Sequence, residues 1–247
     1  SGCEPNRCPI VNLHFAFLVL REHPYGQEML RILLERGFVP GLVIEEASAV
    51  ADEERTKFLT RIADQPLPQA NKDLVSGWHI PRREVANHND AACQELLASL
   101  DPNIVVLGGT RILRPHILAI PHQGTINAHP GLLPRLRGSA SVAWALYKDL
   151  TVCSTTHLVD PGIDTGPILL RRPLAVRRNE SYEQIVRRML TLSGELMAET
   201  LALFQSGQIE AMPQDPAAGE TLRVIPPEWL AQAKANLAQG RYSHFED

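Results

Sequence analysis

The sequence predicts an α/β fold, with a mainly parallel central sheet flanked by helices, and three stretches carry that prediction. Leu13 to Leu20 (LHFAFLVL) is an unbroken apolar run of strand length, the pattern of a strand buried on both faces. Tyr25 to Arg36 follows, with Met29, Leu30, Leu33 and Leu34 at helical spacing and Gly37 as a stop. Val39 to Ile44 then resumes a strand and completes a βαβ unit.

The alternation continues along the chain. Ala47 to Ala63 reads as helix and Gln65 to Gln69 (QPLPQ) as loop, and Asp90 can cap a helix that runs to Leu100. Asp101-Pro102 turns the chain into a buried strand, Ile104 to Leu107, closed by Gly108-Gly109. Ile112 to Ile120 reads as a short helix. Thr125 to Asn127 is a brief strand entering the Pro/Gly-rich loop His129 to Gly138. Ser139 to Lys148 is helical, and Val152 to Val159 and Pro167 to Val176 are strands. Ser181 opens the longest helix, with Gln184 completing a capping box and Ile185, Met189, Leu192, Leu196, Leu203 and Phe204 down one side. The composition shifts after Gly207, at Met212 to Gly219. This divides the chain into a domain over 1–206 and an extension over 207–247, the latter with a strand at Leu222 to Val224 and a helix at Pro227 to Gln239. Trp229, Leu230 and Leu237 give that helix an apolar face, which could complete a small sheet, cover a substrate pocket or build a homodimer interface.

Composition narrows the function classes. The 247 residues carry 24 Lys+Arg against 28 Asp+Glu, a net charge of −4, and contain no long block of like charges. That balance gives no electrostatic footprint for nucleic acid or an anionic bilayer. No apolar run approaches the roughly 20 residues of a membrane span. Cys3, Cys8, Cys93 and Cys153 include no second pair or His cluster at zinc spacing, so no metal is expected. With an opening Ser-Gly-Cys that lacks a basic, apolar leader, the expectation is a cytoplasmic protein with reduced thiols.

Dinucleotide, triphosphate, zinc-peptidase and serine-hydrolase motifs are absent. What stands out is Asn127-Ala128-His129-Pro130-Gly131-Leu132-Leu133-Pro134, with Arg137-Gly138 after it, and then Thr155 to Gly166 (TTHLVDPGIDTG). Asn127 and His129 are two apart at a strand end, so their side chains share a face. His129 and Asp164 stand 35 positions apart, enough chain for a helix and a returning strand to bring a carboxylate beside the imidazole. Amide, imidazole and carboxylate at the carboxyl ends of strands suit acyl transfer, with donors for a developing oxyanion and a group to manage protons.

This block resembles the folate-dependent formyltransferase family, which includes glycinamide ribonucleotide, methionyl-tRNA and amino-sugar formyltransferases. The resemblance covers roughly Leu13 to Phe204 and rests on the Asn-x-His-Pro-x-Leu-Leu-Pro signature, the Arg-Gly after it, Thr-x-His and the Gly-Ile-Asp-Thr-Gly loop. It implies a Rossmann-like formyltransferase fold, 10-formyltetrahydrofolate as donor co-substrate, an amine as acceptor and no metal. It places Asn127, His129 and Asp164 at the catalytic positions and Thr155 and His157 at a supporting pair. Arg111, Ile112 and Leu113 then border the folate pocket, and Val159, Asp160, Gly162 and Ile163 belong to a loop closing over it. The mechanism expected from it has His129, as an imidazolium, and Asn127 stabilising the oxyanion, while Asp164 raises the His129 pKa and relays the amine proton.

Departures from the family bear on the acceptor. The ribonucleotide enzymes are expected to hold a Gly-rich phosphate loop after the first strand, where this chain has Arg21-Glu22-His23-Pro24-Tyr25-Gly26. The tRNA enzymes carry a further basic domain, whereas about 40 residues follow Gly207 here. The expected function is therefore N-formyl transfer to a small-molecule amine, a nucleotide-linked amino sugar first. The alternatives are an amino-acid or natural-product amine, or a formyltetrahydrofolate deformylase, which would carry an N-terminal domain where 12 residues precede the first strand. His23, Tyr25, His88 and Trp144 are the candidate acceptor contacts, the last also readable as a packed helix aromatic. His14, His79, His116 and His244 have no recognisable partners.

Overall fold

The computed structural model describes residues 13–246; Cys3 and Cys8 lie outside them. Nine strands and eight α-helices succeed one another in these residues. The first half contains β1 (Phe15–Leu20), α1 (Pro24–Glu35), β2 (Leu42–Glu46), α2 (Ala49–Ile62), α3 (Asn71–Gly77), β3 (Arg82–Val85), α4 (Ala91–Leu100) and β4 (Ile104–Leu107). Then come α5 (Pro115–Leu118), β5 (Thr125–His129), β6 (Leu136–Gly138), α6 (Ser141–Tyr147), β7 (Cys153–Leu158), β8 (Ile168–Pro173), α7 (Tyr182–Gln205), β9 (Glu220–Leu222) and α8 (Pro227–Ala238).

The main sheet has the order β3-β2-β1-β4-β5-β7-β8. Strands β3 to β5 are mutually parallel, and β7 and β8 run antiparallel. β1 is central and wholly buried, as its unbroken apolar run predicts. Its residues alternate between two cores. Phe15, Phe17 and Val19 pack with Met29, Leu30, Leu33 and Leu34 of α1 and Met197, Ala198 and Leu201 of α7. Ala16 and Leu18 pack on the other face with Cys93 and Leu97 of α4 and Ile117 of α5. A third cluster joins α6, the first half of α7 and α8 through Trp144, Leu146, Ile185, Met189, Ala233 and Leu237.

The Ser181–Gln184 capping box opens α7, and Asp90 caps α4 by accepting from the Cys93 N–H at 2.9 Å. Several elements differ from the sequence expectation; the helix expected over Ile112 to Ile120 is only α5, Pro115–Leu118. β2 ends on Glu45 and Glu46, both fully buried, because Arg82 and Arg111 pair with them; two acidic residues made this strand read short. α3 and β3 have no apolar signature: β3 reads Arg-Arg-Glu-Val and is a charged edge strand. The loop after His129 contains β6, which pairs in parallel with β9, so the small strand near the C-terminus is Glu220–Leu222 rather than Leu222–Val224.

Candidate active site

The site is assembled where β5 and β7 meet. Their antiparallel register sets Asn127 opposite His157 and His129 opposite Thr155. Asn127 Nδ2 lies 3.3 Å from His157 Nε2, while His157 Nδ1 lies 2.9 Å from the Leu158 carbonyl. In either tautomer of His157, at least one Asn127 N–H has no partner among the described residues and is free for a ligand. Thr155 Oγ1 donates to the Gly131 carbonyl at 2.7 Å and accepts from the Leu133 N–H at 3.3 Å, which fixes the loop after His129.

Asp164 lies beyond β7 in a left-handed backbone conformation, φ 53°. Its Oδ2 is 3.4 Å from His129 Nδ1 and accepts from the Gly138 N–H at 2.8 Å; its Oδ1 is 3.5 Å from His157 Nε2. Burial alone would raise this carboxyl, but the two imidazoles and the Gly138 N–H prevail and hold its pKa down at about 2. His129 is 3% exposed, with Nε2 2.8 Å from the Leu136 carbonyl and 3.1 Å from Ser141 Oγ. Burial pushes the His129 pKa below its ordinary value, more than Asp164 and the Leu136 carbonyl push it back up. Tyr25, whose phenol burial pushes up, donates its hydroxyl to the Ala128 carbonyl and clamps β5 between Asn127 and His129.

Tyr25, Asn127, His157 and Asp164 line an open cleft of about 270 Å³, with His129 buried behind Asp164. One wall is Gly109 to Leu113; the other is Val159 to Asp164, with Asn127 and His157 at the base. Ile112 and Ile163 flank it with 68% and 45% of their surfaces exposed, apolar side chains that wait for a cover. The Arg111 guanidinium is tied to Glu46: Nε donates to Oε2 at 2.8 Å and Nη2 to Oε1. Asp160 Oδ1 accepts from the Gly162 N–H at 3.1 Å and Thr165 Oγ1 at 2.6 Å, bracing the opposite loop. No group of three or more His, Cys, Asp or Glu residues among those described is placed to hold a metal ion.

A smaller apolar chamber of about 40 Å³ adjoins the cleft and shares Tyr25, Phe58, Arg61 and Pro130 with it. Ser141, beside His129, lines this chamber. Arg61 is half-buried, 5.7 Å over the Phe58 ring, and forms no ion pair among the described residues. Sequence patterning gives no sign of Ser141, Phe58 or Arg61, because each enters the site from a helix read only for its packing face.

The candidate acceptor residues separate. His23 and Tyr25 line the cleft. His23 also caps α1, its Nδ1 accepting from the Tyr25 N–H at 3.2 Å, and burial, aided by Arg61 and Arg55, lowers its pKa to about 4. His88 does not reach the cleft: it is fully buried under Glu46, its backbone N–H 2.9 Å from Glu46 Oε2. Trp144 does not reach it either. Its indole N–H donates to the Arg223 carbonyl at 2.8 Å and its ring meets Trp229 edge-on at 5.5 Å, so it anchors α8 instead.

Residues 42–201 match the formyl transferase family. A methionyl-tRNA formyltransferase of Cyanothece sp. is 40% identical over 155 residues, which are 62% of this chain and 46% of that protein. The chain spans about half the length of the curated relatives it matches. Among solved structures, an N-formyltransferase from Helicobacter canadensis, in complex with folinic acid and dTDP-3-aminofucose, superposes with a TM-score of 0.61 at 14% identity over 86% of this chain and 71% of that one. A phosphoribosylglycinamide formyltransferase from Anaplasma phagocytophilum gives 0.61 at 18% identity over 86% and 99%. These two share the fold.

Proposed function

The chain belongs to the formyl transferase family, and on that premise we propose that it is an N-formyltransferase that moves a formyl group from 10-formyltetrahydrofolate to the amine of a small molecule, a nucleotide-linked amino sugar. The observation that carries this reading is the set Asn127, His157 and Asp164 in a cleft whose walls are the 109–113 and 159–164 segments, with His129 paired to Asp164 behind it.

The cleft suits a flat heterocycle. Ile112 and Ile163 offer apolar faces, and residues 110–114, neither helix nor strand, run their peptide groups along its edge. The donor supplies an activated formyl carbon. The free Asn127 N–H meets the formyl oxygen as negative charge develops there. As the amine nitrogen bonds to the formyl carbon, Asp164, ionised and hydrogen-bonded, receives the proton the amine loses, directly or through water; the formyl C–N10 bond then breaks and that proton passes to N10, so tetrahydrofolate leaves neutral, while His129 and His157 hold the carboxylate in line. With the Leu136 carbonyl at Nε2 and Asp164 Oδ2 at Nδ1, His129 has an acceptor for a proton at either ring nitrogen without leaving its position.

Two features of the acceptor side support an amine other than a ribonucleotide. The first turn of α1 is not an open phosphate cradle: His23 occupies the Tyr25 N–H, Pro24 has none to offer, and Glu22 accepts from the backbone N–H of Asn71 at 2.8 Å and Lys72 at 3.1 Å. Gly26 serves packing, since a Cβ there would come within 2.3 Å of the Gly108 carbonyl. Arg61 stands at the junction of cleft and chamber, where an anionic group of the acceptor would meet it.

Methionyl-tRNA is the second reading, favoured by the 40% identity to an enzyme of that name. The test is donor consumption with nucleotide-linked amino sugars, free amino acids, methionyl-tRNA and no acceptor in parallel. Turnover only with an amino sugar supports the proposal, and turnover only with methionyl-tRNA replaces it. Formate release without any amine makes the protein a deformylase.

A further inference from the structure

The chain beyond α7 returns to the site and grips the Asp164 loop. Gln214 Nε2 donates to the main-chain carbonyls of Asp164 at 2.9 Å and Gly166 at 2.6 Å. Its Oε1 accepts from Nε and Nη2 of Arg137, both at 3.4 Å. Arg137 is 4% exposed, and it also donates to the carbonyls of Asp215 at 3.1 Å and Pro216 at 3.2 Å. A buried guanidinium has donors only, so it fixes which end of the Gln214 amide faces it: oxygen toward Arg137, nitrogen toward the Asp164 loop. The neighbouring Gly138 donates its N–H to the Asp164 carboxylate. Thus one dipeptide, Arg137-Gly138, holds Asp164 twice, directly at its side chain and through Gln214 at its backbone.

The docking is close. β9 pairs with β6 from Leu136↔Glu220 to Gly138↔Leu222, and a Cβ at Gly219 would lie 1.6 Å from the Pro134 carbonyl. The C-terminal segment therefore sits directly on the loop that follows His129.

We propose that Gln214 is a positioning residue for Asp164: its two donated hydrogen bonds keep the loop in the left-handed turn that aims the carboxylate between His129 and His157. The inference rests on the functional reading above only for its consequence, and the geometry can be tested without any substrate. Gln214→Glu separates positioning from docking. A carboxylate keeps and strengthens the link to Arg137 but turns an oxygen toward two carbonyl oxygens, so the grip on Asp164 is lost while the tail stays seated. Gln214→Met removes both links at similar volume and serves as the second variant.

The experiment is histidine-ring ¹⁵N NMR on the full chain, comparing wild type, Gln214→Glu, Gln214→Met and Asp164→Asn across pH. In both Gln214 variants the ring signals of His129 and His157 are expected to move toward those of Asp164→Asn, with a melting temperature for Gln214→Glu within a few degrees of wild type. Ring signals and titrations matching wild type in either folded variant overturn the proposal. Where formyl transfer is measurable, kcat should fall about 10-fold with donor KM unchanged, smaller than the ~100-fold that a full 1 Å misplacement can cost. Absence of transfer in wild type would remove the functional reading and leave the NMR result to decide this one.

Discussion

Nδ1 of His129 lies 3.4 Å from Oδ2 of Asp164, and no other described carboxylate pairs with that imidazole. The second carboxylate oxygen faces His157, whose ring is anchored in turn to Asn127 and the Leu158 carbonyl. Replacing Asp164 by Asn keeps the volume but removes the charge and sets an N–H against one of the two imidazoles. Turnover in Asp164→Asn, Asn127→Ala and His129→Ala should each fall about 100- to 1,000-fold, the scale for losing one oxyanion-hole donor. Donor consumption followed by absorbance checks this; a variant within a few-fold of wild type would remove that residue from the chemistry.

Stability should fall on mild acidification. His23, His88 and His129 all have pKa values lowered chiefly by burial, His23 to about 4. The unfolded chain therefore binds these protons first: their stabilising effect is whole above pH 6.5 and is lost as pH falls toward the folded-state values. For His23 the shift from 6.5 to about 4 amounts to about 3 kcal/mol. Asp164 adds about 2 kcal/mol that is present above 3.8 and lost as pH drops to about 2. Urea midpoints should hold steady above pH 7 and decline between pH 6.5 and 4. His23→Ala should lower the midpoint at pH 7 yet flatten that decline, and an unchanged slope would mean His23 is not a source of it.

How much of this was legible in the sequence depends on where the signal lies. Unbroken apolar runs marked β1 and β4, and Asp90 and Ser181 marked the starts of α4 and α7, because burial on both faces and capping are local demands. Asn127, His129 and Asp164 could be found because a motif carries them. Glu46 could not, and for Arg137 the motif marked the residue but not what it grips: each is a charged residue buried by a partner 65 or more positions away, and local pattern reads such residues as solvent-facing. Trp144 was a fair candidate by position, but the helix rotates it onto α8.

Glu46 holds one wall of the cleft. Both its oxygens are engaged, by Arg111, by Ser48 Oγ at 2.6 Å and by the His88 N–H at 2.9 Å, and it is fully buried. Glu46→Ala leaves Arg111 without its counter-ion at the cleft edge, a change that costs about 3 kcal/mol for a buried pair. The variant should melt lower and bind folinic acid, as a donor analogue, at least several-fold more weakly. Retained affinity in a folded variant would show that the 111–113 backbone keeps its course without Arg111.

Arg61 stands where the cleft meets the apolar chamber. It borders both cavities, stacks only on Phe58 and has no described carboxylate partner, so its charge is available to an incoming anion. A hydrogen bond to a charged group contributes about 1.5–3 kcal/mol, so Arg61→Ala should raise acceptor KM roughly 10- to 100-fold. Arg61→Lys should recover only part of that, because a point charge cannot reproduce the planar fork of a guanidinium on an oxyanion. The donor KM should stay within about 2-fold in both, since Asn127, the 109–113 wall and the 159–164 loop are untouched. The opposite split, with acceptor KM unchanged and donor KM raised, would assign Arg61 to the anionic tail of the folate and leave the chamber as an apolar subsite alone.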